Sequence, residues 1–473
     1  MRSFMRNAFL LVFVLLLASC ATYPPNPRLA QYNPHYGYRF ENLKAPANSE
    51  SLFVILTFSG GGTRAAALSY GVMEKLRKTR ILWEGEERRL LDEVDVISSV
   101  SGGSFTAAYY GLFGDDLFDP EAFEKAFLYH NIEFDLAASL FNPINWFRLA
   151  SPSFGRIDLA AELYDGRIFK QKTFAELVSR NRRPFIILNA TDITMGSPFS
   201  FTQDQFDLLC SDLGGVPVGR AVAASSAFPI AFPTLILNNY AGTCDFHEPA
   251  WIRQASKDLM DNPPRFNRAR IADSYLNSGE RPYIHLLDGG VADNIALRGP
   301  LVAITSNDPS WSLPNKISMG IVKKLVVIVV DARTDPKTDM DKTPRSPGLP
   351  TIVDTIASVP MGNYSFDTVQ SLSATFSQWR RDLQSHADCQ EILEGACPGA
   401  EMPFDAPDLI DTYAIYVGFD QIEDRSVRED FLNLPTTFHL KKEDVDKLKV
   451  IGPRILDQSR IFQDLCSGLK CHE

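Results

Sequence analysis

Hydrophobic positions along the chain form two patterns, short unbroken runs and longer stretches in which they recur every three or four residues. Unbroken runs occur at residues 52–58 (LFVILTF), 94–98 (VDVIS) and 324–333 (KLVVIVVDAR). Such runs are typical of strands buried on both faces, and the second pattern is that of amphipathic helices. Their alternation predicts an α/β fold with a mainly parallel central sheet and helices on both faces.

The same patterns divide the chain into regions. Further strands are predicted at 184–193, 283–290 and 413–419, and helices at 65–80, from 102, at 351–384 and at 442–460. Residues 335–350 are polar and proline-rich, which indicates a linker or long loop. We predict a signal peptide at 1–19, a tether at 20–50, a globular α/β domain at 51–335, and a linker with a C-terminal α+β extension packing on the core at 336–473.

The first twenty residues have the pattern of a secretory signal. Two arginines precede an unbroken apolar run at 9–17, which is too short to span a bilayer comfortably, and Leu17-Ala18-Ser19-Cys20 follows. This ending resembles the lipobox of bacterial lipoproteins, which implies cleavage before Cys20 and attachment of diacylglycerol to its thiol. Ala21 in place of aspartate resembles lipoproteins sorted to the outer membrane. The alternative is an ordinary cleaved signal, with Cys20 as a structural cysteine.

Charge and cysteine content narrow the classes of partner and compartment. The formal net charge of −11 argues against nucleic acid or anionic lipid as an electrostatically captured partner. The cysteines besides Cys20 are even in number, which suggests disulfides in an exported protein. No Cys/His cluster has zinc-site spacing, so we expect no metal and no cofactor. Pairing of near neighbours, one of several pairings that stay open, would join Cys210 to Cys244, Cys389 to Cys397 and Cys466 to Cys471.

A glycine-rich stretch follows the first predicted strand and precedes a predicted helix. It consists of Gly60, Gly61, Gly62, Thr63 and Arg64. Consecutive glycines let backbone N–H groups point into one space, and the helix start adds positive potential, which suits a phosphate or a tetrahedral oxyanion. The stretch also fits the G-x-G-x-x-A dinucleotide fingerprint, with Glu84 or Glu86 as the expected acid. A tight turn without a ligand is the third interpretation.

Ser101 has the surroundings of a nucleophile on a sharp turn. It follows the strand at 94–98 and precedes a predicted helix, and the small residues Ser99 and Gly103 lie two positions before and after it. This is the G-x-S-x-G pattern with serine in place of its first glycine. The helix N-terminus would favour a developing alkoxide at Ser101. The alternative is a serine-rich turn that caps the helix.

Asp288 ends the strand predicted at 283–290 and is followed by Gly289 and Gly290. An aspartate on such a turn can act as general base if it reaches the serine, and otherwise it bonds its own backbone. Residues 221–233 (AVAASSAFPIAFP) are predicted as a packed small-residue helix that is stopped by its first proline. The histidines near or after Asp288 are interpreted as surface or structural residues: His285, His386, His439 and His472.

Four stretches in order resemble those of the patatin-like phospholipases: the glycine-rich stretch, SSVSGGS (98–104), ASSAFPIAFP (224–233) and DGGVADN (288–294). The resemblance covers about residues 51–335 and is that of a bacterial, lipoprotein-anchored member with a three-layer α/β/α fold. It implies a serine acyl hydrolase of fatty-acyl (phospho)lipid esters, with a Ser101–Asp288 dyad and no histidine. Backbone N–H groups around Gly61 and Gly62 would bind the oxyanion. Residues 434–448 also resemble the tail of bacterial members.

Several alternatives stay open at this point. The expected partners are a lipid substrate and a membrane contacted through an acylated Cys20, but a non-catalytic outer-membrane lipoprotein scaffold and a nucleotide-binding protein that uses Gly60–Gly62 are competing interpretations. Arg64 is expected either to bind a substrate phosphate or to be packed. The aromatic-rich region 113–154 is interpreted as an extended helical core, the lining of an acyl channel or a membrane-facing lid.

Overall fold

The computed structural model describes residues 22–44, 48–229, 232–306, 321–334, 341–342, 344–397 and 410–473. The whole predicted signal peptide (1–19), Cys20 and part of the predicted linker lie outside these residues. The strands are β1 (Leu52–Phe58), β2 (Arg80–Trp83), β3 (Glu86–Arg89), β4 (Val94–Val100), β5 (Phe185–Asp192), β6 (Ser197–Ser200), β7 (Leu235–Asn238), β8 (Tyr283–Asp288), β9 (Lys324–Asp331) and β10 (Asp411–Gly418).

One large sheet lies at the centre of the described residues. Its strand order is β10-β9-β1-β4-β5-β8-β7, with β6 paired to β5, while β2 and β3 form a separate hairpin. Strands β10, β9, β1, β4 and β5 run parallel to one another. Every residue of β1, β4 and β9 is buried, as their unbroken apolar runs predict. The predicted α/β class with a mainly parallel sheet is confirmed.

Strand β8 departs from the parallel arrangement. It runs antiparallel to β5 and pairs with only its last three residues, with Ala190 opposite Asp288 and Asp192 opposite Leu286. Strand β7 is in turn antiparallel to β8. Because β8 enters from beyond the carboxyl end of β5, its own last residue stops beside the carboxyl ends of β4 and β5.

Helices flank and connect the strands. They are α1 (Thr63–Lys78), α2 (Gly102–Phe113), α3 (Ile132–Phe141), α4 (Pro143–Leu149), α5 (Arg156–Arg167), α6 (Phe174–Arg180), α7 (Gln203–Asp207), α8 (Val218–Ser225), α9 (Ala250–Ala255), α10 (Pro263–Leu276), α11 (Gly290–Asp293), α12 (Arg298–Thr305), α13 (Leu349–Ala396), α14 (Arg425–Leu432), α15 (Lys442–Gln458) and α16 (Arg460–Leu469), with a π-helical segment at Pro120–Leu128. Among these residues, no helix combines the length and apolarity needed to cross a membrane.

The C-terminal region packs on the core at two places. Strand β10 forms an edge of the main sheet, in full register with β9. Helix α15 crosses α1 so closely that a Cβ on Gly71 would overlap the carbonyl group of Lys449, and one on Gly452 would lie 3.0 Å from a Val72 methyl carbon. The helix that carries the glycine-rich stretch at its start is therefore held from behind by the C-terminal region.

The part of the predicted tether that the structure describes is not free chain. The side chains of Tyr38 and Phe40 are buried in the main core. The guanidinium of Arg39 forms ion pairs with Asp204 at 2.7 Å and Asp207 at 2.5 Å. These buried aromatic and charged contacts, which the aperiodic sequence does not reveal, hold this part of the predicted tether (20–50) against the domain.

Two of the three near-neighbour cysteine pairs form disulfides. Cys210 is joined to Cys244, and Cys466 to Cys471. Cys389 and Cys397 are free and exposed, so the third pairing is wrong. The reason is that α13 continues from one to the other, and eight residues of helix separate two Cα atoms by about 12 Å, well beyond disulfide reach.

Candidate active site

The glycine-rich stretch forms a tight turn between β1 and α1. Gly61 and Gly62 have φ angles of 135° and 61°, in the left-handed region that favours glycine. A Cβ on Gly62 would overlap the carbonyl oxygen of Thr437, and one on Gly102 would overlap the carbonyl oxygen of Gly62. Backbone from three distant segments therefore meets here, and only glycine permits the approach.

Two of the N–H groups of this turn are already used. The Gly60 N–H donates to the carbonyl of Asn294 at 2.9 Å, and the Thr63 N–H donates to the carbonyl of Thr437 at 2.9 Å. The N–H groups of Gly61 and Gly62 have no hydrogen-bond acceptor among the residues that the structure describes. Of the five residues predicted for an oxyanion site, Gly60 and Thr63 thus have engaged N–H groups, while those of Gly61 and Gly62 remain available as donors.

Ser101 lies on a strained turn between β4 and α2. Its φ and ψ are 50° and −120°, a conformation that an L-residue adopts only when its surroundings impose it. The crossing of chains is tight, since a Cβ on Gly103 would lie 2.6 Å from the Cβ of Phe58 and 2.7 Å from the carbonyl oxygen of Ser59. The turn has the geometry of a nucleophile elbow. The N–H of Gly102, which sequence reasoning passed over, is a third donor without an acceptor among the described residues.

Serine at position 99, in place of the usual glycine, is explained by its hydrogen bonds. Its hydroxyl donates to the carbonyl of Ile187 at 3.3 Å and accepts from the hydroxyl of Ser104 at 3.2 Å. The side chain is fully buried. The extra hydroxyl is thus accommodated below the turn, away from the hydroxyl of Ser101.

Ser225, at the end of α8, ties the serine turn to the aspartate turn. Its hydroxyl accepts from the N–H of Ser101 at 2.9 Å and donates to the carbonyl of Asn189 at 2.6 Å. Its own carbonyl accepts from the N–H of Gly289 at 3.0 Å. The residue pattern of 221–233 predicted a packed helix end, and the family resemblance included 224–233 without giving Ser225 a role; a serine among alanines was the signal available.

Asp288 reaches the serine through the antiparallel entry of β8. Strand β5 lies between β4 and β8 in the sheet. Val100 is opposite Asn189 and Asp288 is opposite Ala190, so the last residues of β4 and β8 pair with consecutive residues of β5. The hydroxyl of Ser101 is close enough to the Asp288 carboxylate to favour its ionised form and so to lower its pKa. The N–H of Gly290 donates to Oδ1 of the same carboxylate at 2.8 Å. The two residues that the sequence singled out are therefore neighbours at the same end of the sheet.

Burial dominates the electrostatics of Asp288. Its removal from water raises the pKa to about 6, against the opposing effect of the Gly290 N–H and the Ser101 hydroxyl. No histidine of the described chain acts on this carboxylate. His285, on the same strand, instead contacts the hydroxyl of Thr234 at 3.1 Å. The pair is thus a serine and a weakly acidic aspartate, which is a carboxylate at neutral pH and more basic than an exposed one.

Arg64 is packed as a structural group. Its guanidinium donates to the carbonyls of Ala332 at 2.8 Å and Leu434 at 2.6 Å, and to the hydroxyl of Thr436 at 3.0 Å. Burial lowers its pKa to about 10, while Asp331 acts in the opposite direction. Because its donors are engaged by backbone and hydroxyl acceptors, the side chain supports the turn from below, and the interpretation as a substrate-phosphate ligand is not supported.

Comparison with known protein families shows to which family the chain belongs. The family described as patatin-like phospholipase matches residues 56–301, more than half of the sequence. The chain belongs to the patatin-like phospholipase family. The matched range contains the glycine-rich stretch, the serine turn and the aspartate turn. A comparison with curated proteins finds no sequence match.

Solved structures similar to this patatin-like chain come from human and bacterial sources. Human GIVD cytosolic phospholipase A2 is 14% identical with a TM-score of 0.39, covering 89% of this chain and 63% of its own. The same enzyme in complex with methyl gamma-linolenyl fluorophosphonate is 13% identical with a TM-score of 0.38, and the match covers 89% of this chain and 60% of that chain. VipD from Legionella pneumophila is 11% identical with a TM-score of 0.28, and the match covers 92% of this chain and 72% of VipD. This chain thus spans less than two thirds of the length of the human enzyme.

The patatin-like site is closed to solvent. Ser101 is 7% exposed and Asp288 4%. Helix α13 lies above the aspartate turn, where a Cβ on Gly290 would be 2.7 Å from the terminal methyl of Met361. The described chain around Ser101 and Asp288 therefore shields both residues from most contact with solvent.

The acids expected for a dinucleotide site lie elsewhere in this patatin-like chain. Glu86 begins β3 of the small hairpin, and Glu84 is in the turn before it. The carboxylate of Glu84 pairs with Lys323 at 2.7 Å. Since that hairpin is not part of the main sheet, neither acid follows a second strand of a dinucleotide-binding unit.

Proposed function

We propose that the protein is a serine acyl hydrolase that cleaves fatty-acyl esters of phospholipids or related lipids. The observation that carries this is the position of Ser101, on a strained turn at the end of β4, beside the buried carboxylate of Asp288, on which its hydroxyl acts. A base whose pKa is about 6 is ionised at neutral pH and still accepts a proton from an attacking hydroxyl. Family membership supports the lipid ester as the substrate class.

In the first half of the proposed reaction, the oxygen of Ser101 bonds to the acyl carbonyl carbon while Asp288 accepts its proton. The carbonyl oxygen becomes an oxyanion, and the free N–H groups of Gly61, Gly62 and Gly102 are the donors available to it. Each such donor is typically worth about 3 kcal/mol of transition-state stabilisation. When the tetrahedral intermediate collapses, the ester C–O bond breaks and Asp288 returns the proton to the departing alcohol.

In the second half, a water molecule takes the place of the alcohol. Asp288 accepts one water proton as the water oxygen bonds to the acyl carbon of the acyl-enzyme. The same N–H donors stabilise the second oxyanion. Collapse breaks the bond to Ser101, which recovers its proton from Asp288, and the fatty acid leaves. No step uses a metal, so turnover is expected to survive chelators.

We propose further that Cys20 is acylated and that the protein is a lipoprotein of a bacterial outer membrane. The apolar run at 9–17 ending in Leu-Ala-Ser-Cys supports this. Metabolic labelling with an alkyne fatty acid tests it, since wild type should be labelled and Cys20→Ser should not. Label on both proteins would contradict acylation at this residue.

The catalytic proposal is tested with a fluorescent fluorophosphonate probe. Wild type should be labelled, while Ser101→Ala and Asp288→Asn should stay dark, because one lacks the nucleophile and the other the base. Ser153→Ala, which removes an exposed serine hydroxyl far along the chain, is the matched control and should label like wild type. Equal labelling of wild type and Ser101→Ala would exclude Ser101 as the nucleophile.

A further inference from the structure

Helices α3 and α4 form an apolar hairpin, residues 132–149, whose large side chains face solvent. Asn142 joins the helices, and its side chain accepts from the N–H of Ile144 in the first turn of α4. Phe134, Phe141, Ile144 and Trp146 are between 58% and 78% exposed. Leu140 is exposed as well. Ile132 and Asn145 are the buried residues of the two helices.

The hairpin differs from the rest of the aromatic-rich region. Phe118, Phe123 and Phe127, which precede it, are buried in the core. The core interpretation therefore holds for the first part of residues 113–154 and fails for the hairpin. Soluble monomers rarely expose contiguous large apolar side chains, and such a patch marks an interaction surface. Exposed tryptophan and phenylalanine on short helices are typical of segments that lie in a membrane interface.

The start of the described chain lies beside this hairpin. The ring of Tyr23 stacks over the guanidinium of Arg220 at 3.8 Å, and burial together with the α5 carboxylates Asp165, Glu162 and Asp158 raises the pKa of its hydroxyl. Glu162 also accepts from Arg148 of the hairpin at 2.9 Å, so α5 lies next to both segments. Cys20 precedes Tyr23 by three residues, which reach about 10 Å when extended.

The charges on the hairpin are compensated by the protein itself. Asp135 is contacted by His130 at 2.8 Å and Arg167 at 3.4 Å. Arg148 pairs with Glu162, as described above. Glu133 accepts from the N–H of Phe438 at 2.9 Å. With no cation directed outward among these groups, the surface offers apolar area and no attraction for anionic lipid.

We propose that the apolar hairpin is a docking surface for a zwitterionic phospholipid bilayer, into whose interfacial layer Phe134, Phe141 and Trp146 insert. The inference rests on the proposed function and deepens it, since the bilayer that holds the acylated Cys20 is then also the source of the substrate. Anchor and hairpin would contact one membrane at neighbouring points, which orients the domain on the lipid surface.

The hairpin is also connected to the active site. Glu133 accepts a hydrogen bond from the hydroxyl of Thr437 as well as from the N–H of Phe438. The carbonyl of Thr437 accepts the Thr63 N–H and covers Gly62. Glu133 and Thr437 therefore join the hairpin by hydrogen bonds to the segment that covers the glycine turn.

The test uses the full-length chain reconstituted in phosphatidylcholine vesicles with ordinary or brominated acyl chains. Bromine quenches tryptophan that enters the bilayer, and subtraction of the Trp146→Phe signal isolates Trp146 from the other tryptophans. We expect quenching of Trp146 that persists between about 0.1 and 1 M salt, over which electrostatic screening lengths fall from about 10 to 3 Å. Phe141→Asp should abolish this quenching. Met260→Asp, at an exposed apolar side chain elsewhere, is the matched control and should leave it unchanged.

Hydrolysis is measured on the same samples with a soluble short-chain ester and with phospholipid in vesicles. Phe141→Asp should lower vesicle hydrolysis about tenfold or more, as the loss of one buried aromatic contact implies, and leave hydrolysis of the soluble ester unchanged. Quenching without any hydrolysis would support docking and refute the proposed function. If the anchored protein hydrolyses the soluble ester but shows no quenching of Trp146, the docking proposal is wrong. It is also wrong if the protein forms a dimer that depends on Phe141 and in which Trp146 is protected from bromine.

Discussion

Replacing Asp288 by asparagine should inactivate the protein and make it more stable. Asparagine has nearly the same shape, and its amide oxygen can still accept the Gly290 N–H. It cannot take a proton from the hydroxyl of Ser101, so hydrolysis should fall by about 10²–10⁴-fold, the usual contribution of a general base. The gain in stability follows from removing a charge that the fold buries.

The size of that gain follows from the pKa shift. Burial raises the pKa of Asp288 from its ordinary 3.8 to about 6. One unit corresponds to about 1.4 kcal/mol, so ionisation of this carboxyl costs the folded state about 3 kcal/mol relative to the unfolded chain. Since the folded state binds the proton more tightly, stability falls as pH rises through about 4 to 6 and stays low above it. Asparagine has no such dependence.

The assay is urea unfolding of wild type and Asp288→Asn at two pH values. The variant should be more stable by about 1.5 kcal/mol at pH 5 and by about 3 kcal/mol at pH 8, because only part of the ionisation cost is present at the lower pH. Taking the difference between proteins cancels other titrating groups, among them Asp95 and Asp165, whose pKa values are raised by burial. A variant less stable than wild type at pH 8, or a difference independent of pH, would refute the reasoning.

Three further outcomes are expected. In wild type, kcat/KM should fall with acid below about pH 6 as Asp288 is protonated, and a pH–rate profile without that limb would exclude the aspartate as base. Gly62→Ala should lower activity about 10²-fold and lower the urea midpoint, because φ is 61° and a Cβ would overlap the Thr437 carbonyl oxygen; Gly166→Ala, in open space, is the control and should be neutral. Cys389 and Cys397 should alkylate without reductant, and their protection would mean that they are paired.

The sequence predicted those parts of the fold that depend on local pattern. The apolar runs at 52–58 and 324–333 contain β1 and β9. A strand that is buried on both faces needs apolar side chains at nearly every position, so its sequence is easily recognised. The strand–serine–glycine–helix order predicted the turn at Ser101 from steric requirements alone. Cys210 and Cys244 were paired correctly because a loop brings near neighbours together.

Features that depend on contacts between distant segments of the chain could not be predicted from the sequence pattern. The direction of β8 is not encoded in its residues, since antiparallel and parallel buried strands have the same apolar pattern. The N–H groups of Gly60 and Thr63 are taken by Asn294 and Thr437, which are far away in the chain. The burial of Tyr38 depends on partners such as the backbone N–H of Ile186, to which its hydroxyl lies at 2.7 Å.

The antiparallel entry of β8 has a consequence for the order in which the protein becomes active. Ser101 is synthesised long before Asp288, and the two meet only after β8 has paired with the end of β5. A nascent chain that stops short of residue 288 carries Ser101 without Asp288. Under the proposed function, such a chain would have a nucleophile without a base and would be inert until β8 has been made and has paired.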